Sequence, residues 1–126
     1  MRLLLDTHAF AWALARSAKL PAQVLDQVTD PANDIWVSAV TIYELDYKRP
    51  LDRELAALPA DLEAAGLRLG YRWLVLTPEH GRIAAGLDRA HKDPWDRVIV
   101  AQAMTEAMVL VTKDGAMAAL GARVLW

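Results

Sequence analysis

The chain has 126 residues, of which 55% are hydrophobic, and it carries a formal net charge of -2 with a pI near 5.9. These values fit one globular domain over residues 1–126 and exclude both a disordered chain and a protein that attracts nucleic acid by its overall charge. The absence of cysteine excludes disulfide frameworks, thiolate zinc sites and thiol nucleophiles. Because Asp6 interrupts the N-terminal apolar run and no segment is long enough to span a bilayer, we expect a cytoplasmic protein.

Hydrophobic periodicity and turn residues predict that strands and helices alternate along the chain. The predicted strands cover residues 2–5, 35–37, 72–76, 108–112 and 123–126. The predicted helices cover residues 7–16, 21–28, 39–47, 53–65, 78–87 and 94–107, and a further short helix begins at Asp114. Pro59 should kink or split the fourth of these helices, and Gly66 should end it. This alternation predicts a parallel sheet covered by helices.

The best-specified helix begins in the stretch HKDPWDRVIVAQA, residues 91–103. Asp93 suits the N-cap position, Pro94 follows at the first helical position, and Asp96 comes three residues after the cap. From Val98 onward the residues are nearly all apolar, as expected for a helix packed against a sheet. Polar chemistry is therefore confined to the N-terminal end of this helix.

Acidic residues are predicted to gather at one edge of the sheet, because the segments that leave the carboxyl ends of parallel strands meet there. Asp6 directly follows the first strand, Asp114 follows the fourth, and Asp96 lies in the first turn of its helix. Glu44 joins them only if its helix leans over that edge. The simpler interpretation is that the aspartates are helix caps and that Glu44 pairs with Lys48 one turn away.

Capping alone leaves unexplained why like charges collect where their mutual repulsion costs stability. A bound cation removes that cost, and a site made only of carboxylate oxygens favours Mg²⁺ or Mn²⁺ over zinc. Such ions activate water for phosphodiester hydrolysis. His8, His80 and His91 have no metal-binding spacing, so we expect no histidine ligand.

Other polar residues are candidates for holding the acids or a phosphate backbone. Basic candidates lie beside the acids in sequence, with Arg97 the preferred one, and hydroxyl candidates lie at strand ends. The plain alternatives are solvated charges and helix caps. The candidates are Lys48, Arg49, Lys92, Arg97, Lys113, Thr7, Ser38 and Thr112.

The sequence resembles the PIN-domain ribonucleases and, within them, the VapC-type toxins of bacterial toxin-antitoxin modules. The resemblance covers nearly the whole chain and is carried by LLLDTHAFAWAL, VSAVTIYELDYK, HKDPWDRVIVAQA, LVTKDGAM and the terminal VLW, in that family's order and spacing. It implies a three-layer α/β/α fold whose central, mostly parallel sheet has about four to five strands.

The resemblance also implies an acidic metal site formed by Asp6, Glu44, Asp96 and Asp114, with Asp93 as a cap or outer-shell residue. It implies an Mg²⁺- or Mn²⁺-dependent endoribonuclease that acts as a toxin, a VapB-like antitoxin as partner, and a homodimer with no membrane attachment. Two positions depart from the family pattern. Asp46 replaces a small or apolar residue, and Trp95 replaces the usual phenylalanine.

Two other interpretations remain open at the level of sequence. A haloacid-dehalogenase-like phosphatase also begins with an apolar strand ending in aspartate, but it needs a second aspartate two residues later, where this chain has His8. The other is a non-catalytic module of the same fold that binds RNA or an antitoxin. A receiver domain is excluded because no central strand ends in an aspartate. The five tryptophans suggest an apolar surface covered by another chain, unless all five lie in the core.

Overall fold

The computed structural model describes residues 1–126, and all five of its strands lie in one parallel sheet of order β3-β2-β1-β4-β5. The strands are β1 (Arg2–Leu5), β2 (Asp34–Ser38), β3 (Arg72–Leu74), β4 (Val109–Val111) and β5 (Val124–Leu125). The helices are α1 (Thr7–Ala15), α2 (Ala22–Thr29), α3 (Ala39–Lys48), α4 (Arg53–Ala56), α5 (Leu62–Arg68), α6 (Pro78–Gly86), α7 (Pro94–Thr105) and α8 (Gly115–Ala119), with a 3₁₀ turn at Arg49–Leu51. None of the helices has the length and apolar character that a bilayer crossing requires.

Side chains alternate between the two faces of the central strand β1 and define two apolar layers. Leu3 and Leu5 pack in a cluster with residues of α1, α2 and α5, whereas Leu4 packs in a second cluster with Ile99 and Val100 of α7. Helices therefore cover both faces of the sheet. The predicted α/β/α architecture with a parallel sheet is confirmed.

The segment between α3 and β3 differs from the prediction at its glycine. The helix predicted over residues 53–65 is split into α4 and α5 around Pro59, as its proline required, but α5 continues through Gly66. A Cβ at Gly66 would lie 3.0 Å from the Trp73 ring. Gly66 therefore permits close packing against β3, and the chain turns instead at Gly70, whose φ is 81°.

The helix starts follow the predicted capping chemistry. Asp93 accepts hydrogen bonds from the backbone N–H groups of Trp95 and Asp96, and Thr77 and His80 form a reciprocal capping box at α6. On α7, the residues from Ile99 to Ala103 are buried. The N-terminus of α7 is thus held at the end of the sheet where the acidic residues follow their strands.

Candidate functional site

A cleft of about 380 Å³ lies beyond the carboxyl ends of β1 and β4. It brings together the four acids predicted from sequence, one further acid, two lysines and a histidine. Its lining consists of Asp6, Thr7, His8, Glu44, Lys48, Asp93, Asp96, Lys113, Asp114, Gly115 and Met117. Carboxylates from four separate parts of the chain thus share one polar concavity.

Asp6 is the most deeply placed aspartate of this cleft, with only 6% of the residue exposed. Its Oδ1 accepts a hydrogen bond of 2.7 Å from the Ala9 N–H and so caps α1. Burial raises the pKa of Asp6, although the Thr112 hydroxyl, the Ala9 N–H and His8 favour its charged form. The ionised carboxylate is therefore costly to keep in the metal-free protein.

Glu44 of α3 lines the cleft. The condition expected from the sequence, that α3 must lean over the edge of the sheet, is therefore met. Thr7 Oγ1 donates to Glu44 Oε1 at 2.7 Å, and Lys48 Nζ donates to Glu44 Oε2 at 2.8 Å. Both oxygens of this buried carboxylate are thus engaged. The hydrogen bond to Glu44 raises the pKa of Lys48. Glu44 therefore pairs with Lys48 and also lines the cleft.

Asp96 enters the cleft from the first turn of α7 and is paired with His91, whose place in the sequence matches no metal-binding spacing. His91 Nε2 lies 2.9 Å from Asp96 Oδ2. Burial raises the pKa of Asp96, the hydrogen bond from His91 lowers it, and the charge of Asp93 raises it further. The signal available in the sequence was proximity, because His91 precedes the capping Asp93 by only two residues.

Asp114 and Asp93 lie at the exposed rim of the cleft. Asp114 Oδ1 caps α8 through the Ala116 N–H at 2.9 Å, and Thr112 Oγ1 accepts a hydrogen bond from the Asp114 N–H at 3.0 Å. Thr112 thereby fixes the turn that presents Asp114. Lys113 projects toward the face of the Trp12 ring, with its Nζ 4.9 Å from the ring centroid.

Arg97, the preferred basic candidate, does not line the cleft. Its guanidinium donates to the backbone carbonyls of Ala84, Leu87, Asp88 and His91 at 2.6 to 2.8 Å. Ala84 lies in the last turn of α6, and the other three carbonyls belong to the loop between α6 and α7, where no helix or strand supplies them with a partner. Arg97 therefore holds that loop in place.

Three more candidates lie away from the cleft or act only on the backbone. Ser38 is fully buried and caps α3 by accepting from the Val40 N–H. Arg49 donates to the carbonyls of Leu55 and Leu58 and pairs with Asp46 at 2.8 Å. Asp46 thus lies outside the cleft and is paired on the outer face of α3. Lys92 is exposed on a separate, shallow surface beside the α6–α7 loop.

The donor groups of the cleft fit a divalent cation. A side-chain nitrogen of His91 and carboxylate oxygens of Asp96 and Asp114 lie within 4.8 Å of one another. Ligands on opposite sides of an ion with bonds of about 2.1 Å are about 4.2 Å apart, so these atoms are within reach of one ion after small rotations. The raised pKa values of Asp6 and Asp96 mean that a cation would also relieve the cost of their ionisation.

Comparison with known proteins gives consistent matches over the chain. Residues 3–122 match the family model described as the PIN domain. The chain is 30% identical over 113 residues to Ribonuclease VapC22 of Mycobacterium tuberculosis, covering 89% of this chain and 86% of that protein.

Two solved structures illustrate the similarity in fold. VapBC2 from Rickettsia felis, bound to a DNA fragment from its promoter, superposes with a TM-score of 0.72 at 15% identity, covering 99% of this chain and 98% of that one. VapBC-5, a member of the VapBC toxin-antitoxin family from Mycobacterium tuberculosis, superposes with a TM-score of 0.58 at 25% identity, covering 98% and 95%.

The raised pKa of Asp6 predicts how stability depends on pH in metal-free buffer. A carboxyl group whose pKa is higher in the folded state stabilises the fold below its unfolded pKa of about 3.8, and this contribution is lost as the pH rises through the folded pKa. Asn caps a helix as well as Asp does, so Asp6→Asn removes the charge and keeps the cap. We expect Asp6→Asn to melt at or above the wild type at neutral pH with EDTA.

The control is Asp6→Ala, which removes the charge and the cap together and should be about 0.5–2 kcal/mol less stable than Asp6→Asn. Urea unfolding from about pH 4 to about pH 8 should show the advantage of Asp6→Asn over the wild type growing with pH. An Asn variant that loses as much stability as the Ala variant would contradict this explanation.

Proposed function

The chain belongs to the PIN-domain family, and we propose that residues 1–126 form a single PIN domain that hydrolyses RNA phosphodiester bonds with Mg²⁺ or Mn²⁺. The observation that carries the proposal is the cleft in which Asp6, Glu44, Asp96 and Asp114 meet. The 30% identity to a protein named as a ribonuclease, over 89% of this chain, supports the same activity. A non-catalytic module of this fold would not need four acids facing one cavity.

The carboxylates of this cleft would hold the ion, and the neighbouring groups would orient them. When bound, a divalent ion lowers the pKa of a water molecule and neutralises charge on the scissile phosphate. Thr7 and Lys48 fix the two oxygens of Glu44, and Thr112 fixes the turn that carries Asp114. Lys48 and Lys113 are the two lysines that line the cleft, and we assign them to the RNA phosphates.

A phosphatase with an aspartyl-phosphate intermediate is the less favoured alternative. Its nucleophilic aspartate requires a second acid two residues later, and that position is His8, which is exposed and also lines the cleft. Asp6 is itself buried and committed to capping α1. These features favour a carboxylate that supports an ion over one that attacks phosphorus.

Removing single acids tests the nuclease. Asp6→Asn and Asp96→Asn should each reduce RNA cleavage by at least about 100-fold, because each removes an ionic oxygen donor while nearly preserving shape. The matched control is Asp46→Asn, since Asp46 is on the same helix as Glu44 but pairs with Arg49 outside the cleft. Cleavage is measured on total RNA with added Mg²⁺ or Mn²⁺ and with EDTA, and folding is checked by circular dichroism.

Sustained cleavage by highly purified Asp96→Asn protein would argue strongly against this site. Loss of cleavage in Asp46→Asn would show that the assay responds to any charge change on α3. Sequencing the ends of the RNA products would identify the substrate, which phosphate chemistry leaves open.

We propose that the nuclease is the toxin of a toxin-antitoxin pair and acts on RNA in the cytoplasm. A groove of about 630 Å³ lies beside the acid cleft and shares Thr7, His8 and Lys48 with it. Half of its lining residues are hydrophobic, including Trp12, Leu45 and others of α1, α3 and α4. Such a groove suits the apolar side of an antitoxin segment whose basic side chain reaches the neighbouring acids. VapBC-5, with which the chain shares 25% identity, is a toxin-antitoxin complex.

Blocking this groove tests the antitoxin proposal. Ala15 is exposed in the last turn of α1 and lines the groove, so Ala15→Glu should weaken antitoxin binding by at least about 10-fold through charge and bulk. RNA cleavage should be unchanged because Ala15 does not line the acid cleft. The control is Ala119→Glu on α8, an exposed helical alanine outside the groove.

The measurement pairs the purified toxin with the product of the adjacent gene, which should encode a small DNA-binding protein. Calorimetry gives the affinity, and co-expression shows whether growth inhibition is neutralised. Equal antitoxin affinity for Ala15→Glu and wild type would place the antitoxin elsewhere.

We also propose a homodimer, with its interface at the edge of the sheet next to α3 and α6. None of the five tryptophans is exposed, so they do not mark this surface. Exposed apolar side chains follow β2 and β3 instead, namely Tyr43 on α3 and Val75, Leu76 and Ile83 around the start of α6. Because β2 and β3 are neighbouring parallel strands, the segments that carry these side chains leave the sheet at the same edge. A second copy of the chain would cover them.

A charge introduced into this surface should prevent dimerisation. Val75 is 67% exposed, so Val75→Arg should leave the fold intact while placing two arginines near the symmetry axis of the dimer. The matched control is Leu25→Arg, which alters an exposed leucine on the distant helix α2. Sedimentation velocity should give a dimer for the wild type and Leu25→Arg, and a monomer for Val75→Arg. A wild-type monomer that persists at high concentration would refute the dimer.

A further inference from the structure

His91 lies beside the acid cleft and contacts one of the acids that line it. Its side chain is only 13% exposed, and its Nε2 faces Asp96 Oδ2 at 2.9 Å. One ring nitrogen of His91 and one carboxylate oxygen each from Asp96 and Asp114 lie within 4.8 Å of one another. The histidine therefore adds a nitrogen donor at the side of the cleft where the two aspartates converge.

The position of His91 is imposed by the fold. Arg97 donates to the His91 carbonyl at 2.8 Å, and the same guanidinium holds the carbonyls of Leu87 and Asp88. Asp93, two residues later, is fixed as the N-cap of α7 by bonds to two backbone N–H groups. The backbone of the loop is thus anchored on both sides of His91, which holds the residue next to Asp96.

The other two histidines are placed differently. His80 Nδ1 accepts from the Thr77 N–H, and its Nε2 bonds to Glu106, so both of its nitrogens are used at the start of α6. His8 is exposed and lines the cleft, and the centroid of its ring lies 5.6 Å from that of Trp12. Of the three histidines, only His91 forms a group with two carboxylates that could hold a metal ion.

We propose that His91 is a nitrogen ligand of the divalent ion, beside Asp96 and Asp114, and that it makes the site prefer Mn²⁺ to Mg²⁺. This inference rests on the metal-dependent nuclease proposed above. Nε2 would coordinate the ion without a proton: any proton that it carries in the metal-free protein is released to solvent, and the coordinated neutral ring has its one proton on Nδ1. Imidazole nitrogen suits first-row transition metals, whereas Mg²⁺ prefers oxygen ligands and retains its waters.

The direct test is the electron spin echo envelope modulation of Mn²⁺ bound to the purified protein. A coordinated histidine gives nitrogen modulation, which should be present in the wild type and change when the protein is labelled with ¹⁵N-histidine. It should disappear in His91→Asn, because asparagine coordinates through oxygen. The matched control is His8→Asn, which makes the same change at the histidine that lines the cleft and should leave the modulation intact.

Metal titrations separate a ligand from a positioning residue. His91→Asn should weaken Mn²⁺ binding by about 10- to 100-fold and change Mg²⁺ binding by less than about 3-fold. An equal loss for both ions would mean that His91 only orients Asp96 and would overturn the proposal. Absence of nitrogen modulation in the wild type would overturn it as well, whether or not the variant folds.

The outcomes also distinguish this inference from the function on which it rests. If Mn²⁺ binds the wild type and supports RNA cleavage without nitrogen modulation, only the role of His91 is wrong. If neither Mn²⁺ nor Mg²⁺ binds the wild type, the metal-dependent nuclease itself fails, and the ligand role of His91 fails with it.

Discussion

The parallel pairing of β1 with both of its neighbours is the constraint on which the acid cleft depends. β1 lies between β2 and β4, so the segments that follow all three strands leave from one edge of the sheet. Asp6 follows β1, α3 carries Glu44 away from β2, and Asp114 follows β4. The register is fixed because Leu3 and Leu5 pack on one face while Leu4 packs on the other. Apolar burial in the sheet thus determines where the charges meet.

The aspartates that cap helices in this protein also line the acid cleft. Asp6, Asp93 and Asp114 each accept helix N–H bonds through Oδ1. Such bonds fix the carboxylate, and the positive end of the helix favours its charge. The second oxygen of each group is left for the cleft. A sequence pattern that looks like ordinary capping is therefore the means by which the acids are oriented, and the two interpretations are compatible.

Most of the fold could be predicted because it follows from local chemistry. The five strands, the caps at Asp93 and Ser38 and the break at Pro59 depend on residues near one another in sequence. The failures depend on distant contacts. Gly66 is required by the Trp73 ring, which reaches it only after β3 has joined the sheet.

Within the site, the same distinction separates the acids from the residues around them. Asp6 and Asp114 could be placed because Asp6 directly follows β1 and Asp114 comes shortly after β4. The structural role of Arg97 depends on carbonyls of a loop whose path no pattern reveals. The position of His91 could not be predicted from sequence spacing, because the loop held by Arg97 determines it.

Neighbouring groups do not neutralise the negative charges of the cleft equally. Lys48 neutralises the charge of Glu44, which lies deep in the cleft, and Thr7 holds the second oxygen of the same carboxylate. Asp96 and Asp114 are less buried than Glu44, and a ring nitrogen of His91 lies within 4.8 Å of a carboxylate oxygen of each.

Five carboxylates and two lysines line the cleft, so it repels an RNA phosphate until further positive charge arrives. In the proposed nuclease, a divalent cation would supply that charge and so permit RNA to bind. A basic side chain of the proposed antitoxin would supply the same charge without activating water. The ion and the antitoxin would therefore compete for one deficit of charge, so inhibition can follow from electrostatics at the cleft without any change in the fold.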